Sequence, residues 1–251
     1  MSMKDKRALV TGGSRGLGLG IVEALVDEGA KVWVVARDGA DLEKVRTRLG
    51  VQTIQADITD AAAANRILAE VRPEILILNA GAVPRMARFD QTSWEEFTAT
   101  WETDVKGGLY WMQAALNLPL APGCRVLVSS SGAAEQGSPM SGGYGGAKRM
   151  LWLMAKYANG VSQKKGLGVD FQAIVPKQMV AGTGVGGAGS SAYANAMGIS
   201  QEAFLARYPD MSPRAYGDHV VKVLTDAVYD PALAIGINGE IGAVILEEKA
   251  A

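Results

Sequence analysis

Short runs of consecutive apolar residues alternate along this chain with segments in which apolar residues recur every three or four positions. The runs are typical of strands buried on both faces, and the recurrences are typical of helices with one buried face. Strands are predicted at 7–11, 31–36, 51–55, 74–78, 124–130, 168–175 and 241–247. Helices are predicted at 16–29, 39–49, 60–70, 93–117, 144–160 and 214–229. Strands joined by helical crossovers indicate an α/β fold, a doubly wound parallel sheet of about seven strands with helices on both faces.

One long connection, at 181–213, interrupts this alternation. It opens with a glycine-rich stretch at 181–189 and continues with two short helical patterns near 190–197 and 200–207. Long insertions in α/β domains are commonly lids or binding loops, so we interpret the segment as a mobile substrate lid, with a structural spacer as the alternative. Neither a change of composition nor an internal repeat divides the chain, which predicts a single domain over residues 1–251.

Composition and charge exclude several classes of partner. The 251 residues are 48% hydrophobic and carry a formal net charge of −1, which provides no strongly basic surface for nucleic acid or an anionic membrane. The chain has one cysteine, Cys124, so it cannot form an intrachain disulfide, and its one histidine has no ligand cluster, so no metal site is expected. It lacks a signal-peptide core and an apolar stretch of about 18 residues, so we expect a soluble cytoplasmic protein without a membrane span.

The first predicted strand leads into a glycine-rich stretch at 11–18, which opens the first predicted helix. A strand, a glycine turn and a helix in this order are the context of a phosphate-binding turn. Glycines let the backbone approach a pyrophosphate, and the helix N-terminus offers free N–H groups and the positive end of its dipole. On its own such a turn is a weak signal, and a tight turn without a ligand is the alternative.

The residues after the second predicted strand bear on which dinucleotide would bind. An acidic residue here usually binds the adenosine ribose 2′-OH, whereas an arginine accommodates a 2′-phosphate. Arg37 follows this strand and Arg15 lies within the glycine turn, so two guanidinium groups are placed to grip a phosphate. This favours NADP(H) over NAD(H), while Asp38 keeps the 2′-OH interpretation open.

Two later strand ends add polar and small groups to the same expected site. Asp57 follows the third strand, where it either accepts a hydrogen bond from an adenine amino group or simply forms a turn. Asn79, Ala80 and Gly81 follow the fourth strand, and the small residues permit close approach of the backbone to a flat ligand.

The fifth predicted strand ends in the hydroxyls of Ser129, Ser130 and Ser131, at the edge where open α/β sheets bind ligands. Tyr144 begins a later helix, and Lys148 lies four residues on, on the same helical face. A cation beside a phenol favours the phenolate, so the tyrosine becomes a usable proton donor to a carbonyl oxygen or a base toward an alcohol. A serine hydroxyl can hold the same oxygen.

Taken in order, the glycine turn, the Asn-Ala-Gly stretch, the serine-ended strand and the Tyr144–Lys148 pair resemble the short-chain dehydrogenase/reductase superfamily over residues 6–180. The resemblance implies a Rossmann-type fold and makes Tyr144 the general acid/base. It further implies that Lys148 binds the nicotinamide ribose and favours the ionised tyrosine. Ser131, by its spacing from Tyr144, would polarise the substrate carbonyl, with Ser130 as the alternative.

The resemblance also implies an activity, the transfer of a hydride between NADP(H) and a ketone or aldehyde, or an alcohol in reverse. The substrate is expected to be small and largely apolar. Tyr193, Met197, Phe204 and Tyr208 in the lid either face it or only anchor the lid. We expect a homodimer or homotetramer that uses the helix at 93–117. A catalytically silent NADP(H)-binding sensor or scaffold is the alternative, and a nucleotide-sugar epimerase is disfavoured by the short C-terminal part.

The turn and the resemblance together imply one set of cofactor residues. They are Gly12, Ser14, Arg15, Gly16, Leu17, Gly18, Arg37, Asp57, Ile58, Asn79, Ala80, Gly81, Tyr144, Lys148, Pro176 and Met179.

Several positions depart from the family pattern. Asp104 stands where the family has a fourth catalytic residue, an asparagine, and we expect its charge to shift the pH optimum or weaken the proton relay near the lysine. Lys177 replaces the glycine that usually follows Pro176. Ala181 replaces a threonine, whose role Thr183 would take after a shift of the loop.

Overall fold

In a computed structural model, which describes residues 2–118 and 120–249, helices and strands alternate along most of the chain. The strands are β1 (Arg7–Thr11), β2 (Lys31–Ala36), β3 (Gln52–Gln55), β4 (Ile75–Leu78), β5 (Arg125–Ser129), β6 (Asp170–Pro176), β7 (Ala232–Asn238) and β8 (Gly242–Glu248). The helices are α1 (Gly16–Asp27), α2 (Gly39–Leu49), α3 (Ala61–Val71), α4 (Trp94–Thr100), α5 (Lys106–Asn117), α6 (Ala133–Gln136), α7 (Tyr144–Lys165), α8 (Gly184–Met197), α9 (Gln201–Leu205) and α10 (Pro213–Thr225). A π-helical turn (Trp101–Val105) joins α4 to α5.

Within the described residues the strands form one sheet, in the order β3-β2-β1-β4-β5-β6-β7-β8. Neighbours pair in parallel from β3 to β7, and β8 runs antiparallel to β7. The strand order runs outward in opposite directions from β1 and β4, so the connections that leave these strands diverge and open a crevice at their carboxyl ends. The predicted doubly wound, Rossmann-type α/β fold is confirmed.

The last part of the sheet differs from the prediction. The sequence pattern gives no strand at Ala232–Asn238, where the structure has β7, and it places 241–247 in a parallel sheet, where the structure has the antiparallel β8. The sheet of the described residues therefore has eight strands, and the predicted helix 214–229 ends at Thr225. Gly236 weakens the strand pattern of β7. A Cβ at that position would lie 3.1 Å from the Leu246 side chain, so the glycine permits close packing on β8.

The predicted helix 93–117 is interrupted in the structure. Ser93 and Glu96 form a reciprocal capping box that starts α4. The π-helical turn then separates α4 from α5 and carries Asp104 into the interior. Such turns are frequent at functional sites. The aromatic residues of this region divide between core and surface, since Trp111 is buried whereas Trp94 is 77% exposed.

Between β6 and α10 the chain forms α8 and α9, whose bounds differ from the predicted helical patterns. Helix α8 begins inside the glycine-rich stretch, because the hydroxyl of Thr183 caps it by accepting a hydrogen bond from the N–H of Gly186. Helix α9 is shorter than predicted, and Ser200 caps it in the same way. The later glycines of this stretch are therefore the first turns of a helix.

The core lies on both faces of the sheet. Helices α1, α2 and α10 cover one face, and α3, α5 and α7 cover the other. Helices α1 and α10 approach closely, since a Cβ at Gly20 would overlap the carbonyl oxygen of Pro213 and a Cβ at Gly217 would overlap that of Gly20. Within residues 2–118 and 120–249, no helix is long and apolar enough to cross a membrane.

Replacing Gly20 by alanine should lower the free energy of unfolding by about 1–3 kcal/mol, because the new methyl group overlaps the backbone of α10. Gly160→Ala on α7 is the matched control. No described atom outside its own helix backbone lies within 4 Å of the Cβ position there, so the helix propensity of alanine should raise stability by about 0.5–1 kcal/mol. Urea unfolding measures both changes. A Gly20→Ala variant as stable as the parent would contradict the close helix contact.

Candidate active site

A cavity of about 1070 Å³ lies in the crevice at the carboxyl ends of the strands. The predicted site residues that line it are Gly12, Ser14, Arg15, Gly16, Leu17, Arg37, Asp57, Ile58, Asn79, Ala80, Gly81, Ser131, Tyr144, Lys148, Pro176 and Met179. Gly18 and Asp104 are buried behind this wall. In the described part of the chain, no group of three His, Cys, Asp or Glu side chains is arranged to hold a metal ion.

The turn between β1 and α1 depends on its glycines. Gly12 and Gly16 have φ angles of 67° and 57°, where side chains are disfavoured. A Cβ at Gly18 would overlap the carbonyl oxygen of Gly12 and the side-chain nitrogen of Asn79, so a larger residue would push α1 away from the turn. Among the described residues no side chain caps α1, and its first residues, Gly16 and Leu17, line the cavity. The cradle fits the pyrophosphate of a dinucleotide, whose charge suits uncapped helical N–H groups.

Thr11 connects the end of β4 to this turn. Its hydroxyl oxygen accepts hydrogen bonds from the backbone N–H groups of Asn79 (3.1 Å) and Ala80 (3.2 Å). The Asn79 side chain in turn donates to the carbonyl oxygen of Gly12 at 3.3 Å. Sequence reasoning includes Thr11 only as the first residue of the turn. The signal for its structural role is a polar residue at the end of an otherwise apolar strand.

Two arginines lie at the end of the cavity formed by β2 and the glycine turn. Arg15 and Arg37 both line the cavity with exposed side chains. Asp38, the acidic residue that would otherwise bind a ribose 2′-OH, uses one carboxylate oxygen to cap α2, accepting a hydrogen bond from the N–H of Asp41 at 3.0 Å. The arginines are therefore the better placed of these groups to meet an anionic ligand.

Asp57 forms the turn that the sequence suggests as one of its two roles. Its Oδ1 atom accepts hydrogen bonds from the backbone N–H and the hydroxyl of Thr59, both at 2.8 Å. These bonds, and to a smaller extent the charge of Arg37, lower the pKa of Asp57. Its Oδ2 atom lies 3.9 Å from Arg37. A contact of Asp57 with an adenine ring stays a prediction.

Tyr144 and Lys148 lie one helical turn apart at the start of α7, and both are buried. The Lys148 ammonium nitrogen is 5.6 Å from the centre of the Tyr144 ring and donates a hydrogen bond to the carbonyl oxygen of Ser129 at 3.3 Å. The end of β5 thus fixes the lysine beneath the phenol. The geometry brings together a proton donor and a cation at the wall of the cavity.

The three serines at the carboxyl end of β5 have different partners. Ser129 donates to the side-chain oxygen of Asn79 at 3.3 Å, and Ser130 donates to the carbonyl oxygen of Lys148 at 2.9 Å. The Ser131 hydroxyl accepts a hydrogen bond from the N–H of Ala133 at 3.3 Å. Within the described residues its hydroxyl proton has no acceptor, so Ser131 is better suited than Ser130 to hold a substrate oxygen.

Asp104 is buried and lies beside the ammonium group of Lys148. Its Oδ1 atom accepts a hydrogen bond from the N–H of Ala82 at 2.7 Å, and its Oδ2 atom lies 3.0 Å from the ammonium nitrogen of Lys148. Burial by itself lowers the pKa of Lys148, but the negative charge of Asp104 and the phenol of Tyr144 act in the opposite direction and leave that pKa raised. Lys148 is therefore held as an ammonium ion in a buried ion pair.

Comparison with known proteins identifies this arrangement. The model of the short chain dehydrogenase family matches residues 6–186. The chain belongs to this family. Galactitol 2-dehydrogenase of Agrobacterium fabrum is 27% identical over 184 residues, which cover 70% of this chain and 71% of the relative. Human L-xylulose reductase is 35% identical over 132 residues, which cover 51% of this chain and 54% of the relative, so the match spans about half of that reductase.

Solved structures agree with the fold of this short-chain dehydrogenase. A short-chain dehydrogenase/reductase of the glucose/ribitol dehydrogenase type from Brucella melitensis has a TM-score of 0.79 at 19% identity, over 96% of this chain and 98% of that one. A 3-ketoacyl-(acyl-carrier-protein) reductase from the same organism, complexed with NADH, has a TM-score of 0.78 at 20% identity, over 95% and 99% of the two chains. These structures show the fold alone, whereas the match to the family model identifies the chain as an oxidoreductase of the short-chain dehydrogenase family.

Two departures from the family pattern lie at the cavity of this dehydrogenase. Lys177 forms an ion pair with Glu135 of α6, so its charge is compensated. Thr183 lines the cavity, but its hydroxyl donates to the carbonyl oxygen of Val180 at 2.9 Å and caps α8. Its expected substitution for the threonine missing at Ala181 stays a prediction.

Of the residues that line the cavity here, sequence reasoning names Tyr193 of the expected lid but misses Ser138 and Met86. Ser138 and Tyr193 share a hydrogen bond of 2.8 Å between their hydroxyl oxygens. Tyr193 stacks on Phe204, with 6.0 Å between the ring centres. These contacts join segments far apart in sequence. The aromatic residues of the expected lid are the local sequence signal for these contacts.

Removing the cation of the buried pair should weaken the fold. Lys148→Met should lower the free energy of unfolding by about 3–5 kcal/mol, because it leaves the Asp104 carboxylate buried without its partner. Lys156→Met, on the same helix, removes a partly exposed pair with Glu247 and should cost less than about 1 kcal/mol. Urea unfolding compares the two variants. Equal losses would contradict a charged, buried pair.

Proposed function

We propose that this protein is an NADP(H)-dependent reductase of ketones or aldehydes that also catalyses alcohol oxidation in reverse. The observation that carries the proposal is the convergence of Tyr144, Lys148 and Ser131 on the cavity that also contains the glycine turn. Relatives named as L-xylulose reductase, D-erythrulose reductase and galactitol 2-dehydrogenase support interconversion of a carbonyl and an alcohol. A protein that only bound a dinucleotide would have no need of this set.

The side chains divide the work of carbonyl reduction. The bound nicotinamide supplies the hydride. Ser131 donates a hydrogen bond to the substrate carbonyl oxygen and orients it toward Tyr144. Tyr144 donates its proton to that oxygen as negative charge develops there. Lys148, fixed by Ser129 and Asp104, binds the nicotinamide ribose and stabilises the tyrosinate that remains. In the oxidation direction Tyr144 takes the proton from the alcohol.

NADP(H) is the proposed cofactor because the groups at the β2 end of the cavity favour a phosphate. Arg15 and Arg37 can form charge-assisted, bidentate hydrogen bonds with a 2′-phosphate. Asp38 is engaged in capping α2, which reduces its capacity to bind a ribose 2′-OH. The uncapped start of α1 would hold the pyrophosphate.

The proposed substrate is largely apolar. Met86, Met179, Tyr193, Phe204 and Tyr208 all line the cavity. Side chains of this kind bind a hydrocarbon or aromatic body, with the Ser131 and Tyr144 hydroxyls placed to orient the carbonyl. The segment at 181–213 supplies three of the five. We therefore keep the interpretation that it is a substrate lid within one catalytic domain.

We also propose a homodimer or homotetramer. Trp94 is 77% exposed, and Val161 of α7 and Leu109 of α5 are 38% and 41% exposed. Large apolar side chains on neighbouring helices favour burial against a second subunit.

A catalytically silent NADP(H)-binding sensor or scaffold remains the second candidate. Asp104 and Lys177, two substitutions near Tyr144 and Lys148, favour this second candidate, because each adds a charge where the family has a neutral residue. NADPH binding without oxidation across a broad carbonyl panel would support this candidate over the reductase.

Tyr144→Phe should lower kcat for NADPH-dependent carbonyl reduction by about 100-fold or more, because the proton donor is lost. NADPH binding, followed by the fluorescence of the cofactor, should persist. Tyr157→Phe on the same helix is the matched control, since that tyrosine is exposed and outside the cavity, and it should keep parental turnover. Unchanged turnover by Tyr144→Phe on a ketone and aldehyde panel would disprove the mechanism.

Replacing Arg15 and Arg37 together by alanine should raise KM for NADPH by about 100-fold or more, because two charge-assisted contacts with the 2′-phosphate are lost. KM for NADH should change much less. Arg46→Ala on α2, an exposed arginine paired with Glu43, serves as a control for surface charge. Steady-state kinetics with both cofactors make the comparison. Equal increases for NADPH and NADH would remove the argument for a phosphate-bearing cofactor.

A further inference from the structure

The carboxylate of Asp104 is fixed on several sides. The N–H of Ala82 donates to Oδ1 at 2.7 Å, and Lys148 lies 3.0 Å from Oδ2. A Cβ at Gly81 would lie 2.8 Å from Oδ2, so the carboxylate fits only because position 81 has no side chain. The π-helical turn places Asp104 at this point, with a side chain that has no exposed surface. The group is thus positioned specifically on the lysine and away from solvent.

The ammonium group of Lys148 is correspondingly shared. It donates to the carbonyl oxygen of Ser129 and pairs with Asp104, and its side chain is only 7% exposed. An unpaired ammonium at this place would strongly favour the ionised form of Tyr144. A carboxylate in contact with it cancels most of that field, because little water lies between the charges to screen them separately. The pair presents a dipole to Tyr144 where a lone lysine would present a full positive charge.

Other groups near Tyr144 do not change this balance. Tyr216 of α10 is fully buried, and burial first, then the neighbouring Tyr144, raise its pKa far above the usual range, so it is neutral. Lys177 at the cavity wall is compensated by Glu135. On the side of β5 the facing groups are the serine hydroxyls and the carbonyl oxygen of Ser129. Within the described residues, Lys148 is the charged group in contact with the Tyr144 ring, and Asp104 is its ion-pair partner.

We propose that Asp104 is a positioning residue that neutralises Lys148 and so keeps Tyr144 protonated over a wider pH range, which extends carbonyl reduction to higher pH and moves the onset of alcohol oxidation to higher pH. The proposal rests on the proposed function of this site and adds the pH range in which each direction works. An asparagine at position 104 would preserve the acceptor for the Ala82 N–H while removing the negative charge. The substitution Asp104→Asn therefore isolates the charge.

The first experiment compares pH profiles in both directions. In the Asp104→Asn variant, the acidic limb of kcat/KM for alcohol oxidation should move to lower pH by about one unit or more, since the lysine charge then acts unopposed on Tyr144. Carbonyl reduction should lose activity at lower pH on its alkaline side than in the parent. Glu102→Gln is the matched control, because Glu102 lies on the same π-helical turn with an exposed side chain. It should leave both profiles unchanged.

A second readout does not require turnover. The ultraviolet absorbance of tyrosinate is titrated in the parent and in Asp104→Asn, and the corresponding Tyr144→Phe curve is subtracted from each. The midpoint assigned to Tyr144 should fall in the Asp104→Asn background. Asp104→Ser, which also removes the charge, repeats the test if the asparagine variant is poorly folded, as judged by NADPH binding.

The two readouts separate failure of this proposal from failure of the proposed function. A parent protein that binds NADPH but reduces no carbonyl would reject the reductase, and the Tyr144 titration would still test the effect of the charge. Unchanged Tyr144 midpoints in both Asp104 variants, or a shift to higher pH, would overturn the proposal. A loss of kcat with unshifted pH profiles would do the same, because a merely structural role predicts that result.

Discussion

Lys148 and Asp104 are opposite charges buried in contact, and each is tolerated in the interior only because the other is there. The pair places demands on four parts of the fold. The end of β5 must offer a carbonyl oxygen, the loop after β4 must offer an N–H group and a position without a side chain, and the π-helical turn must direct Asp104 inward. Helix α7 must then carry the lysine beneath Tyr144. The arrangement of side chains around Lys148 follows from satisfying these two charges.

The two ends of the cavity are built by different physical means. At the β1–α1 turn the backbone forms the cavity wall, through glycines with positive φ and a helix start without a side-chain cap among the described residues. At the other end, buried side chains form the wall, and their hydrogen bonds connect strands to helices. The first kind of site is written in a short stretch of sequence. The second depends on the assembled fold, because Ser129, Asp104 and Lys148 meet only after β5, the π-helical turn and α7 have packed together.

This difference explains what the sequence predicts and what it does not. Apolar runs, glycine turns and the four-residue spacing of Tyr144 and Lys148 on a helix are local, so the sheet, the phosphate-binding turn and the Tyr144–Lys148 pair are predicted from the sequence. The strand β7 is not predicted, because Gly236 weakens its apolar pattern. A glycine is favoured at this position because the side chain of Leu246 on the next strand packs closely against it. The ion pair of Lys177 with Glu135 is not predicted for the same reason, because its two partners meet only in the folded chain. The cap formed by Asp38 is local, and an Asp directly before the predicted helix 39–49 is a signal for it that the sequence does contain.

Asp104 and Lys177, the two charged substitutions in the family pattern near Tyr144, share one property. Asp104 brings a negative charge and Lys177 a positive one, and each charge has an opposite partner in the structure. Neither change therefore leaves an isolated charge at the cavity, which is the condition under which such a substitution would destabilise the fold. A comparison with the family motif by residue identity alone counts Asp104 and Lys177 as two mismatches. Scored by electrostatics, both leave the site charge-balanced, and we infer that Asp104 in addition changes the field that acts on Tyr144. The chemistry of such a site is therefore better judged from the pairing of its charges than from its agreement with the motif.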